Sequence, residues 1–370
     1  MSSPAPPSES DVRARAERAA GWAGAGSQAT VWWGWTPAAG GGWSVEVVVV
    51  RDGRIGRASG EAGDDDALRA CVEAAAAAAA DGPEGLAALP QPTPGRTHDG
   101  YDPAVLRLGD EPRRAGLAKV AIASAAGGTV FEQRTFVAVG VPGGEVAAVS
   151  VAGAEASARD AGAPADDGPA AAAPDDIAGD LPAVLGPQAV AAVLDRLRPL
   201  FGRPGALPQG RRVAAACISL SESPRFAATL PRSYDVHGTP RQPVPLIQDG
   251  VAHRTVSAET GHAVRAGHAD AEPQHLVLVG GGAASEAELL APIARGLYLP
   301  SLDRALLVED GRATRAVAAD SLQIDPLAVL AGAQALTARQ RTIPTAGDAR
   351  TVGATVCPAL RTGGGVRLSG

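Results

Sequence analysis

The sequence predicts an α+β protein of two domains, on three observations. The chain has 370 residues, whereas a single hydrophobic core tends to stop growing at about 250 to 300 residues. Apolar stretches between glycine-rich turns predict many strands, and the order of elements is mostly β instead of a repeated βαβ. A segment of Ala, Pro, Asp and Gly at 152–180 has almost no large apolar residues and divides the chain.

The predicted N-terminal domain, residues 10–151, combines helices with β-hairpins. Residues 1–9 are rich in Ser and Pro and are expected to be disordered, and Ser10 is expected to cap a helix over 11–20. Strands are predicted at 30–35 and 44–50, and Asp52-Gly53 is a typical hairpin turn. The valine run at 47–50 suits a strand that is buried on both faces. A helix over 64–80 and strands at 117–124, 130–139 and 145–151 complete this domain.

The segment 152–180 is expected to be a linker or loop, because it cannot bury enough apolar surface to offset the entropy cost of ordering. The predicted C-terminal domain, residues 181–370, is rich in strands. Its main helix begins at Pro187, a favoured first helical residue, and runs to about Arg198. Asp249-Gly250 and Asp310-Gly311 are predicted hairpin turns, and Ser285 is predicted to cap a further helix.

Composition and charge exclude several classes of protein. Hydrophobic residues make up 45% and charged residues 20%, which is typical of globular proteins. The net charge of −7 argues against a nucleic-acid partner, since such proteins usually carry a basic stripe. The N-terminal region has charges where a signal peptide needs an apolar stretch, and no apolar run could span a membrane. Three widely spaced cysteines favour a reducing compartment, so we expect a cytoplasmic protein whose cysteines are buried.

Three groups of residues could carry chemistry, and each has a simpler structural interpretation. His253, His262, His268 and His275 lie close in sequence, but their spacing does not place them on one helix face, which favours scattered surface histidines over a metal cluster. Ser233, Asp235 and His237 are the residue types of a catalytic triad, but adjacent loop residues rarely converge on one point, which favours a turn at His237-Gly238. Gly280 and Gly282 precede a Ser-capped helix and lack the third glycine of a dinucleotide loop.

All five tryptophans fall between Trp22 and Trp43. They are expected to form a local sheet core, and the alternative is an exposed apolar platform for a peptide or a partner chain.

Several motifs, in a specific order, resemble the TldD/PmbA family of metallopeptidases. The hairpin Val48-Val49-Val50-Arg51-Asp52-Gly53-Arg54-Ile55 resembles the family's N-terminal domain. In the C-terminal half the similar motifs are Ser233-Tyr234-Asp235-Val236-His237-Gly238, Leu246-Ile247-Gln248-Asp249-Gly250-Val251, Ile293-Ala294-Arg295-Gly296-Leu297-Tyr298 and Val356-Cys357-Pro358-Ala359-Leu360-Arg361. The resemblance implies a two-domain α+β fold, with an N-terminal hairpin-and-helix domain and a β-rich C-terminal domain, assembled as a dimer around a cavity.

The resemblance also implies a division of labour between two kinds of subunit. In this family the TldD-type subunit has an HExxxH helix and a distant Cys that bind zinc, and the PmbA (TldE) type lacks them and pairs with it. Asp195, Arg196 and Leu200 stand where the first His, the Glu and the second His would be. Arg and Leu cannot ligate zinc, and Cys357 lies in a PmbA-like ending, so this chain is expected to bind no metal itself.

The resemblance therefore implies a non-catalytic subunit, a pseudoenzyme, of a heterodimeric zinc peptidase that degrades or matures short or unfolded peptides. Zinc is expected on a TldD-type HExxxH partner, and neither nucleic acid nor membrane is expected to bind. The alternative is a stand-alone peptide-binding or scaffolding accessory protein, for example in natural-product peptide maturation. The residues expected at a cavity or interface are Trp32, Trp33, Trp35, Tyr234, Asp235, His237, Gly238, Arg295 and Tyr298.

Overall fold

The first half of the chain forms an antiparallel sheet of six strands. In this computed structural model the described residues are 5–84, 88–95, 97, 100–108, 114–161, 179–268, 270–317 and 322–368. The strand order is β3-β2-β1-β4-β5-β6. The strands are β1 (Ser27–Thr36), β2 (Gly40–Arg51), β3 (Arg54–Glu61), β4 (Arg114–Ser124), β5 (Thr129–Val141) and β6 (Gly144–Ala148). Asp52 and Gly53 both have positive φ in the predicted hairpin turn, which suits the twist of the strands it joins.

Two helices, α1 (Glu9–Ala23) and α2 (Asp65–Ala78), cover one face of this sheet. The helix α1 begins earlier than predicted, because Ser8 and not Ser10 caps it. The Ser8 hydroxyl accepts a hydrogen bond from the backbone N–H of Asp11 at 3.2 Å, and the Asp11 carboxylate accepts one from the Ser8 N–H at 3.1 Å. The prediction of a disordered segment 1–9 is therefore wrong at Glu9, which belongs to α1. Residues 1–4 of that segment lie outside the described residues.

The valine run in β2 is buried on both faces, as its sequence predicts. Val47 and Val49 pack under the helices, whereas Val48 and Val50 face the second half of the chain, where they contact Ala266. The first sheet is therefore the middle layer between its own helices and the C-terminal half.

The structure corrects the predicted linker at 152–180. Residues Val151–Ala161 form a helix, α3, whose buried Ala154 packs beside the first sheet. Small alanines allow a helix to lie close to a sheet, and alanine has the highest helix propensity, so the absence of large apolar residues does not preclude packing here. Gly179–Asp180 form a short strand, β7, and residues 162–178 lie outside the described residues.

The second half of the chain forms a mixed sheet with a small sheet beside it. The larger sheet has the order β11-β10-β9-β12-β18-β8-β13-β14-β15, with β17 paired to β18, and the smaller has the order β16-β19-β7. The strands are β8 (Ala183–Leu185), β9 (Leu220–Glu222), β10 (Val244–Gln248), β11 (Val251–Ala252), β12 (Leu276–Leu278), β13 (Arg295–Ser301), β14 (Arg304–Glu309), β15 (Arg312–Val317), β16 (Leu322–Ile324), β17 (Ala333–Pro344), β18 (Ala354–Thr362) and β19 (Val366–Leu368).

The helix α4 (Pro187–Gly202) packs across the larger sheet, and its apolar side chains belong to the largest core of the protein. Two shorter helices, α5 (Glu286–Leu290) and α6 (Pro326–Ala331), complete this half, with Ser285 capping α5 as predicted. Of the three cysteines, Cys71 and Cys357 are buried, but Cys217 is exposed, so the expectation that all three are buried is wrong for Cys217.

Arg134, on β5, joins the first sheet to the loops of the C-terminal half. Its side chain is 4% exposed and donates five hydrogen bonds to backbone carbonyls, at 2.6 to 3.1 Å. The accepting residues are Leu230, Pro231, Ala349, Arg350 and Val352. Burial, followed by the charge of Arg232, lowers the pKa of Arg134 to about 9, so the guanidinium remains charged at neutral pH.

We expect Arg134→Met to lower the free energy of unfolding by about 3 kcal/mol, because several buried carbonyl groups lose a charged donor and cannot reach water. Guanidinium-chloride unfolding, followed by circular dichroism, measures the loss. The matched control is Arg18→Met, which removes an exposed guanidinium paired with Asp65 and should change stability by about 0.5 kcal/mol or less. Equal unfolding midpoints for the two variants would contradict this role of Arg134.

Candidate functional site

A pocket lies between the first sheet and the loops of the C-terminal half. Its volume is about 190 Å³. Thr30, Glu46, Val120 and Ile122 contribute from the sheet face that is not covered by α1 and α2. On the opposite side the wall is formed by residues 232, 235–236, 264–266, 274 and 350–351. The pocket is therefore built by two distant parts of the chain.

Four arginines line this pocket: Arg57, Arg232, Arg265 and Arg350. Three carboxylates accompany them: Glu46, Glu132 and Asp235. Glu46 lies between two of the arginines, with its oxygens 3.3 Å from Arg57 Nε and 3.8 Å from an Arg350 terminal nitrogen. Glu132 is 3.7 Å from Arg232 Nε and accepts a hydrogen bond of 2.8 Å from the backbone N–H of Ser233. The acidic side chains are thus already compensated by partners of the chain.

Asp235 organises the loop that forms one wall of the pocket. One carboxylate oxygen accepts hydrogen bonds from the backbone N–H groups of His237 and Thr239, and the other accepts from Ala263. Gly238 has a φ of 77°, which allows the tight turn predicted from the sequence. His237 faces Gln28 of the first sheet, where its ring nitrogen is 3.4 Å from the amide oxygen. The loop is therefore held as a turn. Asp235 accepts backbone hydrogen bonds and His237 faces Gln28, whereas a catalytic triad would need Asp235 to bind the histidine ring.

Behind the pocket, Glu222 is the centre of a fully buried polar cluster. Its carboxylate lies 3.1 Å from His275 Nδ1, 3.3 Å from His262 Nε2 and 3.7 Å from a terminal nitrogen of Arg241. Gln274 connects this cluster to the pocket, because its side-chain oxygen accepts hydrogen bonds from both Arg232 and Arg241. The expectation of scattered surface histidines is wrong for His262 and His275, which are both completely buried.

The charges of this cluster favour an ionised carboxylate beside neutral imidazoles. Burial raises the pKa of Glu222, but hydrogen bonds from His262 and His275 outweigh burial and hold the pKa well below its usual range. Burial is the main cause that lowers the pKa of His275, to about 3, and the nearby charge of Arg241 contributes. Arg241 supplies the positive charge that balances Glu222.

The tryptophans are divided between the core and the surface. Trp33 and Trp35 are 3% and 4% exposed, within the sheet core that the sequence analysis favours. The guanidinium of Arg350 stacks 3.9 Å from the centre of the Trp32 ring, at the edge of the charged pocket. Trp32 and Trp35 also line a shallow depression beside Gly41, with the neighbouring Ala349 and Arg350. An exposed platform of all five tryptophans is therefore not formed.

Arg295 and Tyr298, predicted at the same site, lie elsewhere in the structure. Both are on β13, and Tyr298 lines a separate pocket with Glu286 and Arg341. The Tyr298 hydroxyl donates a hydrogen bond to Glu286, and burial raises the pKa of Tyr298. Tyr234 is buried near the charged pocket and exchanges hydrogen bonds with the backbone of Gly95. The structure thus brings residues 234–238 and Trp32 to one region and leaves Arg295 and Tyr298 outside it.

The positions on α4 that would hold zinc in a TldD-type subunit do not fit a metal. Asp195 and Arg196 are exposed, and Leu200 packs against the largest core. Between them, the buried Arg198 binds Asp195 at 2.6 Å, the carbonyl oxygen of Pro273 at 2.7 Å and the Thr355 hydroxyl at 2.8 Å.

Cys357 does not supply a metal ligand either. Burial raises the pKa of the Cys357 thiol, and its sulfur donates to the carbonyl oxygen of Pro187 at 3.2 Å, so it is not a thiolate ligand. No group of three His, Cys, Asp or Glu side chains in the described part of the chain could hold a metal ion.

The fold defines an α+β protein with two larger sheets and a small one, in which the α4 positions expected for zinc ligands carry Asp195, Arg196 and Leu200. A family model described as the PmbA/TldA metallopeptidase C-terminal domain matches residues 179–366, which is just over half of the chain. The chain belongs to the PmbA/TldD family. The resemblance found in the sequence is thereby confirmed.

Three solved structures are similar over nearly the whole chain. TldE from Thermococcus kodakarensis has a TM-score of 0.69 and 15% identity, covering 93% of this chain and 96% of that chain. A proposed modulator of a DNA gyrase from Thermotoga maritima has a TM-score of 0.66 and 14% identity, covering 92% and 95%. A second proposed modulator of DNA gyrase, from Bacteroides thetaiotaomicron, has a TM-score of 0.64 and 13% identity, covering 96% and 98%. At these identities the likeness shows the shared fold, which confirms the predicted α+β class.

Among curated proteins, none matches the sequence significantly. Within the residues that the structure describes, no helix combines the length and apolar character needed to cross a membrane.

The sequence analysis missed the residues that connect the buried cluster to the pocket, above all Glu222, Arg232, Gln274 and Arg350. These residues are scattered along the sequence from Glu222 to Arg350 and form no local motif. Their only signal in the sequence is polar residue type within predicted strands and loops, which is also typical of solvated surface.

We expect the protein to lose stability as the pH falls from about 6.5 towards 3. In this window the unfolded chain binds a proton at His275 that the folded chain excludes, since burial lowers the folded pKa to about 3. The depressed pKa of Glu222 has the same sign, because its contribution is complete above the pKa of the unfolded chain and is lost in acid. Urea unfolding midpoints measured from pH 7.5 to pH 4 follow this change.

The variant His275→Gln should show a shallower decline of the midpoint with falling pH, because it removes the excluded proton. The control is His253→Gln, whose side chain is exposed and should leave the pH dependence unchanged. Parallel pH profiles for His275→Gln and the unmodified protein would disprove the assignment.

Proposed function

We propose that this chain is a non-catalytic subunit that pairs with a TldD-type, HExxxH-bearing family member in a zinc peptidase acting on short or unfolded peptides. The observation that carries the proposal is the composition and packing of α4. Arg196 and Leu200 have no zinc-binding atom, and the neighbouring Arg198 is fixed by Asp195, Pro273 and Thr355. Binding zinc here would require both different residues and a different packing of the helix.

Membership of the family and a fold shared with TldE from Thermococcus kodakarensis support this proposal. In the proposed complex, the HExxxH motif of the partner would hold a zinc ion, which would activate water for peptide hydrolysis, and the glutamate of that motif would be the general base. This chain supplies the partner interface and a wall of the substrate cavity. The complex is proposed to act in the cytoplasm.

Co-expression with an HExxxH-bearing family member from the same genome tests this proposal. We expect the two chains to elute together from a sizing column, with zinc and cleavage of an unstructured peptide found in the mixed complex and not in this chain alone. Replacing the glutamate of the partner's motif by glutamine should abolish cleavage while the complex persists, because that glutamate is the proposed general base.

Stoichiometric zinc or peptide cleavage in this chain alone would overturn the proposal. Failure of the two chains to associate would instead favour a stand-alone peptide-binding or scaffolding protein.

A further inference from the structure

The arginines of the charged pocket have donor groups that the protein does not satisfy. The Nε atoms of Arg57, Arg232 and Arg350 are buried, and none of them has a hydrogen-bond partner among the described residues. The carboxylate of Glu46 lies within ion-pair distance of Arg57 Nε, but without the geometry of a hydrogen bond. Buried polar groups are nearly always paired. Three unpaired donor groups around one pocket therefore favour a bound ligand that carries hydrogen-bond acceptors.

The carboxylates Glu46 and Glu132 lie within ion-pair distance of these arginines, but no carboxylate of the pocket accepts a hydrogen bond from the three Nε atoms. Asp235 accepts three backbone hydrogen bonds, and Glu132 accepts one from Ser233. Glu46 is shared between two arginines. Four arginines against three acids leave the lining of the pocket with one excess positive charge.

The side chains that hold the arginines keep them from moving to solvent. Arg232, which is 7% exposed, donates a hydrogen bond to Gln274, and Arg57 donates one to the carbonyl oxygen of Ala266. Arg350 rests on the ring of Trp32. Guanidinium groups fixed in this way lose little entropy when they bind a planar or tetrahedral oxyanion.

We propose that this pocket binds an oxyanion of a small ligand, a carboxylate or a phosphate group, through Arg57, Arg232 and Arg350. The walls also include the apolar side chains of Val120, Ile122 and Val236, which suit a short aliphatic group next to the anion. A short peptide with a free C-terminal carboxylate combines these two features, and inorganic phosphate provides the anion alone. Binding is a property of this chain and does not depend on the proposed subunit role.

Isothermal titration calorimetry of the isolated full chain tests this inference with three probes: the dipeptide Ala-Ala, its C-terminal amide, and inorganic phosphate. We expect saturable binding of Ala-Ala or of phosphate, weakened by added salt, and no binding of the amide. Binding of Ala-Ala alone assigns the pocket to carboxylates, and binding of phosphate alone assigns it to phosphate. Absence of binding by both anions, or equal binding of the amide and the free dipeptide, overturns the inference.

The variant Arg350→Gln locates the site. It should weaken binding of the anion about tenfold or more, since one charge-assisted contact is lost while Glu46 keeps Arg57 as a partner. Arg18→Gln is the matched control, because it removes the same charge from an exposed pair with Asp65 far from the pocket lining, and its affinity should be unchanged.

If Arg350→Gln does not fold, as judged by circular dichroism, Arg57→Gln replaces it, since Arg57 is a half-buried member of the same proposed anion site. Equal affinities in the pocket variant and the Arg18→Gln control would overturn the location.

Discussion

The arrangement of the two halves depends on Arg134. This side chain extends from β5 of the first sheet to the loops at 230–231 and 349–352, where it donates hydrogen bonds to five carbonyl groups. Four of these five contacts are buried. A charged donor can compensate several neutral acceptors at once, which few other side chains can do. The same loops carry Arg232 and Arg350, so the contact that joins the halves also places the arginines of the pocket.

The buried Glu222 cluster extends this organisation into the second sheet. Glu222 is at the end of β9, and its partners His275, His262 and Arg241 come from the loops around that edge. Ion pairs buried this deeply contribute little net stability, but loss of one partner leaves a charge without compensation, so the cluster favours a single arrangement of the loops. Gln274 connects the cluster to the pocket wall, because its side-chain oxygen accepts hydrogen bonds from Arg241 and from Arg232. One wall of the pocket is therefore hydrogen-bonded to the buried Glu222 cluster.

Two α4 residues at positions expected for zinc ligands in a TldD-type subunit, Asp195 and Leu200, take part here in an ion pair and in core packing. Arg198 takes the interior position between the helix and β18 and ties Asp195 to it, while Leu200 contributes to the apolar core. The helix α4 thus packs in the core and is hydrogen-bonded to β18. The proposed anion pocket lies in another region, between the first sheet and the C-terminal loops, and its lining includes no residue of α4.

The sequence by itself determined the fold class, the main strands and hairpins, and the family, because local periodicity, turn residues and short motifs indicate these features directly. It failed for the N-cap of α1 and for the helix α3, where tertiary packing of small alanines outweighs the lack of large apolar side chains. Only the tertiary structure decided that His262 and His275 are buried around Glu222 and that Arg57, Arg232 and Arg350 surround one pocket. Those residues meet through contacts between distant strands and loops, and charged side chains of the same type are equally common on solvated surface.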